Sequence, residues 1–251
     1  MRCWGVKGAY SLHDIKEEEL ESFLIKSWEN GVLGFNVTSP YKMKLAELTQ
    51  NRVVSAVNIL FRGKDSWESG SCDGLGFERG LAHLGVSLDG FNHIVILGSG
   101  GVLLDILARV LPYSPQVSVI RRNPKNDEIL LNLDPQIEFY PWDQKSLQDL
   151  LLKETDRTLL IQASSAPLLG ISLEEFVPAL NNFEGCFVDL VYRKPSALFY
   201  ASQEKGLRCQ DGLPMFLEQA RLSQEIWFGR SLSYEDLCDF LQKTGGADGR
   251  N

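Results

Sequence analysis

Metal-ligand clusters, long apolar runs and excess positive charge are all missing from this sequence, and each absence excludes a class of protein. The five cysteines and three histidines are scattered without a CxxC pair, so we expect no metal site. No stretch approaches the roughly 20 uncharged apolar residues of a membrane helix, and we expect no membrane partner. The start, MRCWGVKGAY, has no apolar run of signal length, which together with the odd cysteine count predicts a cytoplasmic protein.

The charge balance restricts the partners further. Lys and Arg number 25 against 33 Asp and Glu, which gives a formal net charge of −8. A nucleic-acid binder needs an excess of cations to displace counterions from phosphates, so we expect no nucleic-acid partner. A small anionic ligand needs only local cations, so the charge balance does not exclude such a ligand. The oligomeric state is not determined by the sequence, which is compatible with a monomer and with a homodimer.

The first third of the chain predicts a mixture of short strands and helices. Strands are predicted near 3–6, near 10–15, over 32–37 and over 53–61, and helices over 17–28 and 42–48. The first of these helices is stopped by Asn30-Gly31. Residues 65–74 are polar and rich in glycine, which predicts a connection, and a helix is predicted over 76–84.

From His93 onward, apolar strand runs alternate with helical segments. Strands are predicted in HIVIL, QVSVIRR, QIEFYPW, TLLIQAS and GCFVDLVY, with the helix VLLDILARVL after the first. This alternation is typical of βαβ units and predicts an α/β protein with a parallel sheet. A long helix is predicted to end at Gly229, and Ser233 with Asp236 forms a capping-box-like start of a last helix.

A glycine turn, GSGGV, lies between a predicted strand and a predicted helix, the context of a dinucleotide-binding fingerprint. Gly98 allows the tight turn and Gly100 lets the backbone approach a pyrophosphate, which the helix N-terminus would bind. The third fingerprint position is Leu103 rather than Gly or Ala, and we expect this larger side chain to disturb the packing of helix on strand. A plain glycine turn without a nucleotide remains the alternative.

The strand after this turn ends in Arg121-Arg122, where NAD enzymes usually carry an acidic residue for the ribose hydroxyls. A guanidinium suits a 2′-phosphate, so the arginines favour NADP over NAD. The alternative is that both are solvated residues beyond a strand.

Three polar residues are candidates for the chemistry. Lys42 follows a proline turn in NVTSPYK, Asn58 lies within the strand SAVNI, and Asp73 precedes a predicted helix. Spacing alone does not bring them together. Taken singly, they are also explained as a surface lysine, a buried hydrogen-bonded asparagine and a helix-capping aspartate.

In combination and in order, GFNVTSPYK, SAVN, CDGLGF, ILGSGG and DGLPMFLEQA resemble the shikimate dehydrogenase family over nearly the whole chain. The family motif NVTxPxK matches Asn36 to Lys42, and AVNT matches Ala56 to Ile59 with Ile in place of Thr. NTDxxG matches Ser71 to Gly76, with Ser-Cys for Asn-Thr and the aspartate kept. The NRT cofactor motif matches Arg121 to Asn123, and DGLGMLxxQA matches Asp211 to Ala220 with Pro214 for a glycine.

The resemblance implies two α/β domains and a known reaction. An N-terminal α/β substrate domain, residues 1–73, is completed by C-terminal helices, residues 212–251, and a Rossmann-like NADP domain spans 74–211. The implied activity is the reversible reduction of 3-dehydroshikimate to shikimate by NADPH, in aromatic amino-acid (chorismate) biosynthesis, on a small-molecule polyol acid.

The resemblance also implies roles for individual residues. Lys42 and Asp73 match the catalytic pair, in which an ammonium donates a proton to the oxygen that hydride transfer leaves as an alkoxide. The implied substrate-binding residues are Asn36, Thr38, Asn58, Tyr192 and Gln219. The implied cofactor-binding residues are Gly98, Ser99, Gly100, Gly101, Val102, Arg121, Arg122 and Gly212.

One family feature has no counterpart at the N-terminus. The family begins with a strand ending in a Ser-x-Ser motif that holds the substrate carboxylate, followed by a helix. Here YSLHDIKEEELESFL already resembles the second strand and second helix, so we expect this sequence to lack the first βα unit with its serine pair. A competing alignment places His13 near the serine motif, with Asp14 and Lys16 in place of the serines. Ser11 and Lys7 are weak candidates to replace the pair.

Two alternatives therefore stand beside a shikimate dehydrogenase. One is a related oxidoreductase acting on another polyol acid such as quinate. The other is a non-catalytic family member that binds a ligand on the retained fold.

Overall fold

The computed structural model of the protein describes residues 8–38, 40–49, 57–152 and 156–243. The predicted strand at 3–6, the first four residues of the predicted strand at 53–61, Lys7 and Ser39 lie outside these ranges. The helices are α1 (Leu20–Glu29), α2 (Lys42–Leu48), α3 (Asp73–His83), α4 (Val102–Val110), α5 (Asp127–Leu133), α6 (Gln144–Leu151), α7 (Ala197–Glu204), α8 (Leu213–Phe228) and α9 (Tyr234–Lys243). The strands are β1 (Gly34–Asn36), β2 (Ile59–Arg62), β3 (Trp67–Gly70), β4 (His93–Leu97), β5 (Gln116–Arg121), β6 (Glu138–Pro141), β7 (Thr158–Gln162), β8 (Cys186–Asp189) and β9 (Arg208–Gln210).

A small antiparallel sheet is built from β1, β2 and β3 in that order. Its core is formed where the apolar faces of α1 and α2 meet β2, with Leu20, Leu24, Leu45 and Leu60 all buried. Helix α1 ends, as predicted, at Asn30-Gly31, where Gly31 adopts a φ of +73° that favours glycine.

Two predictions for this region are wrong. Residues 65–74 do not form a simple connection, because Trp67–Gly70 pairs with β2 as strand β3. Pairing with a neighbour, together with the packing of the Trp67 ring against Phe35 and Trp28, outweighs the low strand propensity of this polar segment. Conversely, residues 10–15 form no strand. Among the described residues, β1 pairs only with β2, and residues 8–16 pair with no strand.

The larger sheet is parallel and has six strands in the order β6-β5-β4-β7-β8-β9. This is the doubly wound Rossmann order, with the point where the order reverses between β4 and β7. The strands β4 to β8 were predicted from their apolar runs, and β4 and β7 are buried along their whole length. Strand β9, with only three residues, was not predicted.

Helices α3 and α8 connect the two sheets. Phe77 and Leu81 of α3 and Met215 of α8 belong to the core of the large sheet. Further along α8, Leu222 packs with Ile59 of the small sheet, and the Trp227 Nε1–H donates to the Leu60 carbonyl at 3.0 Å. The helix α8 ends at Gly229 (φ +64°), and α9 begins with the Ser233 hydroxyl accepting from the Asp236 N–H, both as predicted.

Leu103 is accommodated in the β4–α4 unit, contrary to the expectation that it would disturb it. The side chain is fully buried in the core of the large sheet, beside Ile94 and Ile106, and α4 is regular from Val102. The tight position is instead Gly98, whose φ is +114° and where an added Cβ would lie 2.7 Å from the Ser164 backbone nitrogen. Gly101, by contrast, has open space around its Cα.

The first prediction concerns Leu103. We expect Leu103→Ala to leave a cavity and to lower the free energy of unfolding by about 2–5 kcal/mol. Leu131→Ala, at a partly exposed position of α5, should lower it by less than about 1 kcal/mol. Urea unfolding followed by circular dichroism measures both. A similar loss in the two variants would contradict the placement of Leu103 in the core.

The second prediction compares two glycines of one turn. Gly98→Ala should lower the free energy of unfolding by roughly 1–3 kcal/mol from backbone strain alone, and more from the collision with Ser164. Gly101→Ala should change it by no more than about 0.5 kcal/mol, because Gly101 has a helical φ of −60° and no neighbour within 4 Å. Thermal melts of the two ligand-free variants test this. Equal melting temperatures would show that the turn does not require glycine at Gly98.

Candidate active site

A cavity of about 970 Å³ opens between the small sheet and helix α8. Six of the residues singled out in the sequence line it, and they come from four separate segments. These residues are Asn36, Thr38, Lys42, Asn58, Asp73 and Gln219. Among the described residues that line the cavity, Lys42 is the only one with a cationic side chain.

Lys42 and Asp73 form an ion pair at the wall of this cavity. The Lys42 Nζ donates to Asp73 Oδ2 at 2.5 Å. Asp73 is the first residue of α3, where the helix dipole favours a negative charge, and it is 4% exposed. Lys42 is the first residue of α2 and keeps 20% of its side chain exposed. The pair therefore places an ammonium at the edge of the cavity and fixes it from behind by a buried carboxylate.

Asn58 holds the second oxygen of this carboxylate. Its Nδ2–H donates to Asp73 Oδ1 at 2.6 Å and to Gln219 Oε1 at 3.2 Å. Its own Oδ1 accepts from the Cys72 N–H at 2.8 Å. Because a buried polar group is costly unless it is hydrogen-bonded, these contacts fix the orientation of the amide. Asn58 thereby ties the start of α3 to α8.

The rim of the cavity includes two residues that no sequence pattern singles out. The Tyr10 hydroxyl donates to Asn36 Oδ1 at 3.0 Å, and the Asn36 Nδ2–H donates to Ser223 Oγ at 3.1 Å. Tyr10 lies in a segment without regular structure, and Ser223 lies one turn beyond Gln219 on α8. Neither residue belongs to a recognisable motif, so only the folded structure shows their position.

The remaining substrate candidates lie in different places. Thr38 lines the cavity, whereas Tyr192 is not among its lining residues. The Tyr192 ring instead stacks on Phe216, a lining residue, with 4.5 Å between the ring centres. Ser11, a weak candidate to replace the serine pair, is exposed and hydrogen-bonds His13 at 2.9 Å. His13 itself packs against Phe23 of α1, and Lys7 lies outside the described residues.

The glycine turn Gly98–Val102 lies at the carboxyl end of β4, beside the point where the strand order reverses. Ligands of open α/β sheets bind at such a point. The Asn126 Nδ2–H donates to the Ser99 carbonyl at 2.5 Å and holds the turn. An added Cβ on Gly100 would meet nothing nearer than the Ala163 carbonyl at 3.9 Å, so the turn is open to a phosphate on this side. The turn fits a dinucleotide.

The two arginines after β5 differ in their surroundings. Arg121 donates through Nε to Asp127 Oδ1 at 2.6 Å and forms a second bond to the other carboxylate oxygen, and this pairing raises its pKa. Arg122 is exposed, with its guanidinium 4.9 Å from the centre of the Trp142 ring. The charge of Arg121 is therefore already balanced by Asp127, and Arg122 is the guanidinium presented to solvent.

Gly212 immediately precedes α8 and packs against the backbone that follows β8. An added Cβ at Gly212 would collide with the Leu190 carbonyl, so glycine is required for this close approach. The described residues hold no cluster of three or more His, Cys, Asp or Glu side chains with metal-binding geometry. Within the described ranges, no helix combines the length and the apolar character that crossing a membrane requires.

No protein-family model matches the chain. A relative from Hyphomonas neptunium, named shikimate dehydrogenase (NADP(+)), is 30% identical over 236 residues, which cover 91% of this chain and 84% of the relative. A relative of the same name from Rhodopseudomonas palustris is 29% identical over 246 residues, with 91% and 82% covered.

Solved structures agree on the fold. A chorismate mutase/shikimate 5-dehydrogenase fusion protein from Clostridium acetobutylicum superposes with a TM-score of 0.81 at 23% identity, covering 98% of this chain and 90% of that one. The shikimate 5-dehydrogenase of Thermus thermophilus, in complex with NADP(H) and shikimate, gives a TM-score of 0.78 at 23% identity, covering 96% and 90%. The two-domain fold with a Rossmann-like sheet is therefore confirmed, and by its similarity to the Hyphomonas relative the chain belongs to the shikimate dehydrogenase family.

Proposed function

We propose that this protein catalyses the reversible reduction of 3-dehydroshikimate to shikimate with NADPH. The observation that carries the proposal is the Lys42–Asp73 ion pair at the wall of a cavity, in a chain that also has a dinucleotide-type glycine turn at the end of β4. The relatives reported above are named NADP-dependent shikimate dehydrogenases, which favours this substrate over quinate and over a non-catalytic role. The product would serve aromatic amino-acid biosynthesis.

The chemistry requires a proton at the moment a hydride reaches the carbonyl carbon. NADPH, when bound, supplies the hydride. Lys42 carries the proton, since its ammonium lies at the cavity wall and can hydrogen-bond the carbonyl oxygen while negative charge develops there. In the reverse direction, the neutral lysine accepts the proton of the alcohol.

Asp73 keeps this lysine in position. Its buried carboxylate restricts the Lys42 ammonium to one geometry, which removes the entropy of a long flexible side chain before the reaction begins. Asn58 prevents the carboxylate from rotating, because it holds the other oxygen at 2.6 Å. The ring hydroxyls of the substrate are hydrogen-bonded by Asn36, Thr38, Asn58 and Gln219. Tyr192 contributes by stacking on Phe216, which lines the cavity.

For the cofactor, the turn Gly98–Val102 with its helix α4 holds the pyrophosphate. Gly212, which packs against the Leu190 carbonyl just before α8, is a further cofactor-binding residue in this proposal. Arg122 binds the 2′-phosphate of NADP, because its guanidinium is exposed beside Trp142. Arg121 contributes indirectly, since it fixes Asp127 and with it the start of α5.

We also propose the domain division expected from the resemblance, with 1–73 and 212–251 as the substrate domain and 74–211 as the NADP domain. The support is the separation of the two sheets along these boundaries. The helix α8 is shared between them, because Met215 packs in the core of the large sheet. A cytoplasmic location agrees with the four described cysteines, Cys72, Cys186, Cys209 and Cys238, which are all free thiols.

A lysine pair on one helix tests the proton-transfer role. Lys42→Ala should lower kcat by about 10²-fold or more, the usual scale for a positioned acid–base group, with a smaller change in cofactor affinity. Lys44→Ala removes an exposed lysine two residues along α2 and should leave kcat unchanged. Steady-state assays with shikimate and NADP⁺ measure both. A Lys42→Ala variant with full turnover would exclude the role.

The preference for NADP over NAD is assigned to Arg122 in this proposal. Arg122→Ala should weaken NADP⁺ binding by about tenfold or more while changing NAD⁺ binding little, because a charge-assisted bond to the 2′-phosphate is lost. Lys64→Ala, which removes one positive charge from the hairpin of the small sheet, is the matched control and should affect neither dinucleotide. Calorimetric titration of the parent and the two variants with each dinucleotide gives the six dissociation constants. Equal losses for both dinucleotides, or tighter binding of NAD⁺ by the parent, would contradict this assignment.

A further inference from the structure

The carboxylate of the proposed substrate has no partner among the residues assigned so far. Lys42 is the only cationic side chain among the described residues that line the cavity, and Asp73 already balances its charge. A carboxylate that is buried without compensation loses its hydration at a large cost in free energy. The substrate carboxylate therefore needs hydrogen-bond donors at a place that water still reaches.

Three polar side chains at the rim of the cavity form one directed chain of hydrogen bonds. The Tyr10 hydroxyl donates to Asn36 Oδ1 at 3.0 Å, and the Asn36 Nδ2–H donates to Ser223 Oγ at 3.1 Å. The Ser223 hydroxyl in turn donates to the Gln219 carbonyl at 3.0 Å. Tyr10 is the outermost member, so its proton can be redirected to a ligand while the other two bonds stay intact.

Asn36 tolerates this change. Its side chain is exposed, so Oδ1 can accept from water or from a ring hydroxyl once the Tyr10 proton has left. Its Nδ2–H remains bonded to Ser223, which keeps the amide in the same orientation. Redirecting the Tyr10 hydroxyl therefore leaves no buried polar group without a partner.

The spacing along α8 fits a six-membered ring. Gln219 Oε1 accepts from the Asn58 Nδ2–H, and Asn58 also holds the Asp73 carboxylate, so Gln219 marks the reacting end of the cavity. Ser223 follows four residues later on the same helix, which is about 6 Å along the axis. The ketone oxygen and the carboxylate of 3-dehydroshikimate are separated by a comparable distance. A ring whose ketone faces Lys42 can therefore present its carboxylate to the end where Tyr10 lies.

The segment that carries Tyr10 has no regular structure, yet two contacts just beyond this residue hold it. The His13 ring packs against Phe23 of α1 with 5.1 Å between the ring centres. The Tyr41 hydroxyl donates to the Ile15 carbonyl, and Tyr41 immediately precedes α2. The segment is therefore fixed to the same two helices that pack on the small sheet.

We infer that Tyr10 binds the carboxylate of the substrate: when the substrate enters, the Tyr10 hydroxyl turns from Asn36 to the carboxylate. This inference rests on the proposed function. Tyr10 is 62% exposed, so the bound carboxylate stays in contact with water and needs no second cation. A phenol then takes the task that the resemblance assigns to a Ser-x-Ser pair, and Tyr10 determines the selectivity for acids.

Tyr10→Phe removes the hydroxyl and keeps the ring. In shikimate oxidation at saturating NADP⁺, we expect the KM for shikimate to rise about tenfold or more, the scale of a hydrogen bond to a charged group. The bond is the same in the ground state and the transition state, so kcat should change by less than about twofold. The KM for NADP⁺ should stay unchanged. Tyr200→Phe, at an exposed position of α7, is the matched control and should keep all parental constants.

The methyl ester of shikimate separates carboxylate recognition from a merely structural role. The ester carries no charge and accepts a weaker hydrogen bond, so Tyr10→Phe should raise its KM by no more than about threefold. A structural defect would weaken the acid and the ester alike. Equal losses on the two substrates, an unchanged KM for the acid, or the same loss in Tyr200→Phe overturns the inference. Circular dichroism of both variants verifies that the fold is intact.

The two proposals fail differently. A folded parent that neither oxidises shikimate nor reduces 3-dehydroshikimate would refute the proposed function. Tyr10 is then tested with cyclohex-1-ene-1-carboxylate, which has the ring and the carboxylate without the hydroxyls, in a ligand-observed NMR titration. Binding that weakens about tenfold in Tyr10→Phe supports the inference. No binding by the parent, or equal binding by the parent and the variant, overturns it whatever the substrate.

Discussion

The buried carboxylate of Asp73 is the constraint on which the rest of the site depends. A negative charge with 4% exposure is unfavourable unless other groups compensate for lost water, and here an ammonium, an asparagine amide and the start of a helix do so. Each compensating group comes from a different segment. Their need to converge on one carboxylate brings α2, β2 and α3 into a single arrangement, and the cavity lies beside it.

Much of the fold was predictable because its elements are defined by local signals. Strands β4 and β7 are buried throughout and read as continuous apolar runs, and the ends of α1 and α8 are marked by glycines with positive φ. The elements that escaped prediction depend on partners distant in sequence. Strand β3 is polar and exists because it pairs with β2. Residues 10–15 have a strand-like composition, but they pair with no strand in the part of the chain that the structure describes.

The same distinction applies to the site. Lys42, Asn58 and Asp73 were identified because they lie in motifs whose combination resembles one family, although their individual spacing indicated nothing. Tyr10 and Ser223 lie in no motif, and the bonds that place them beside the others span 26 and 187 positions of sequence. Leu103 illustrates the opposite error. Its side chain was expected to be too large for the third fingerprint position, but it packs in the core of the large sheet.

Helix α8 has a consequence for the order in which the chain can mature. It follows all the strands that the structure describes, yet Met215 completes the core of the large sheet and the Trp227 side chain hydrogen-bonds the small one. A chain emerging from the ribosome therefore exposes two unfinished apolar surfaces until this segment has been synthesised. Because both cores include residues of this one helix, neither core is complete before α8 has been synthesised.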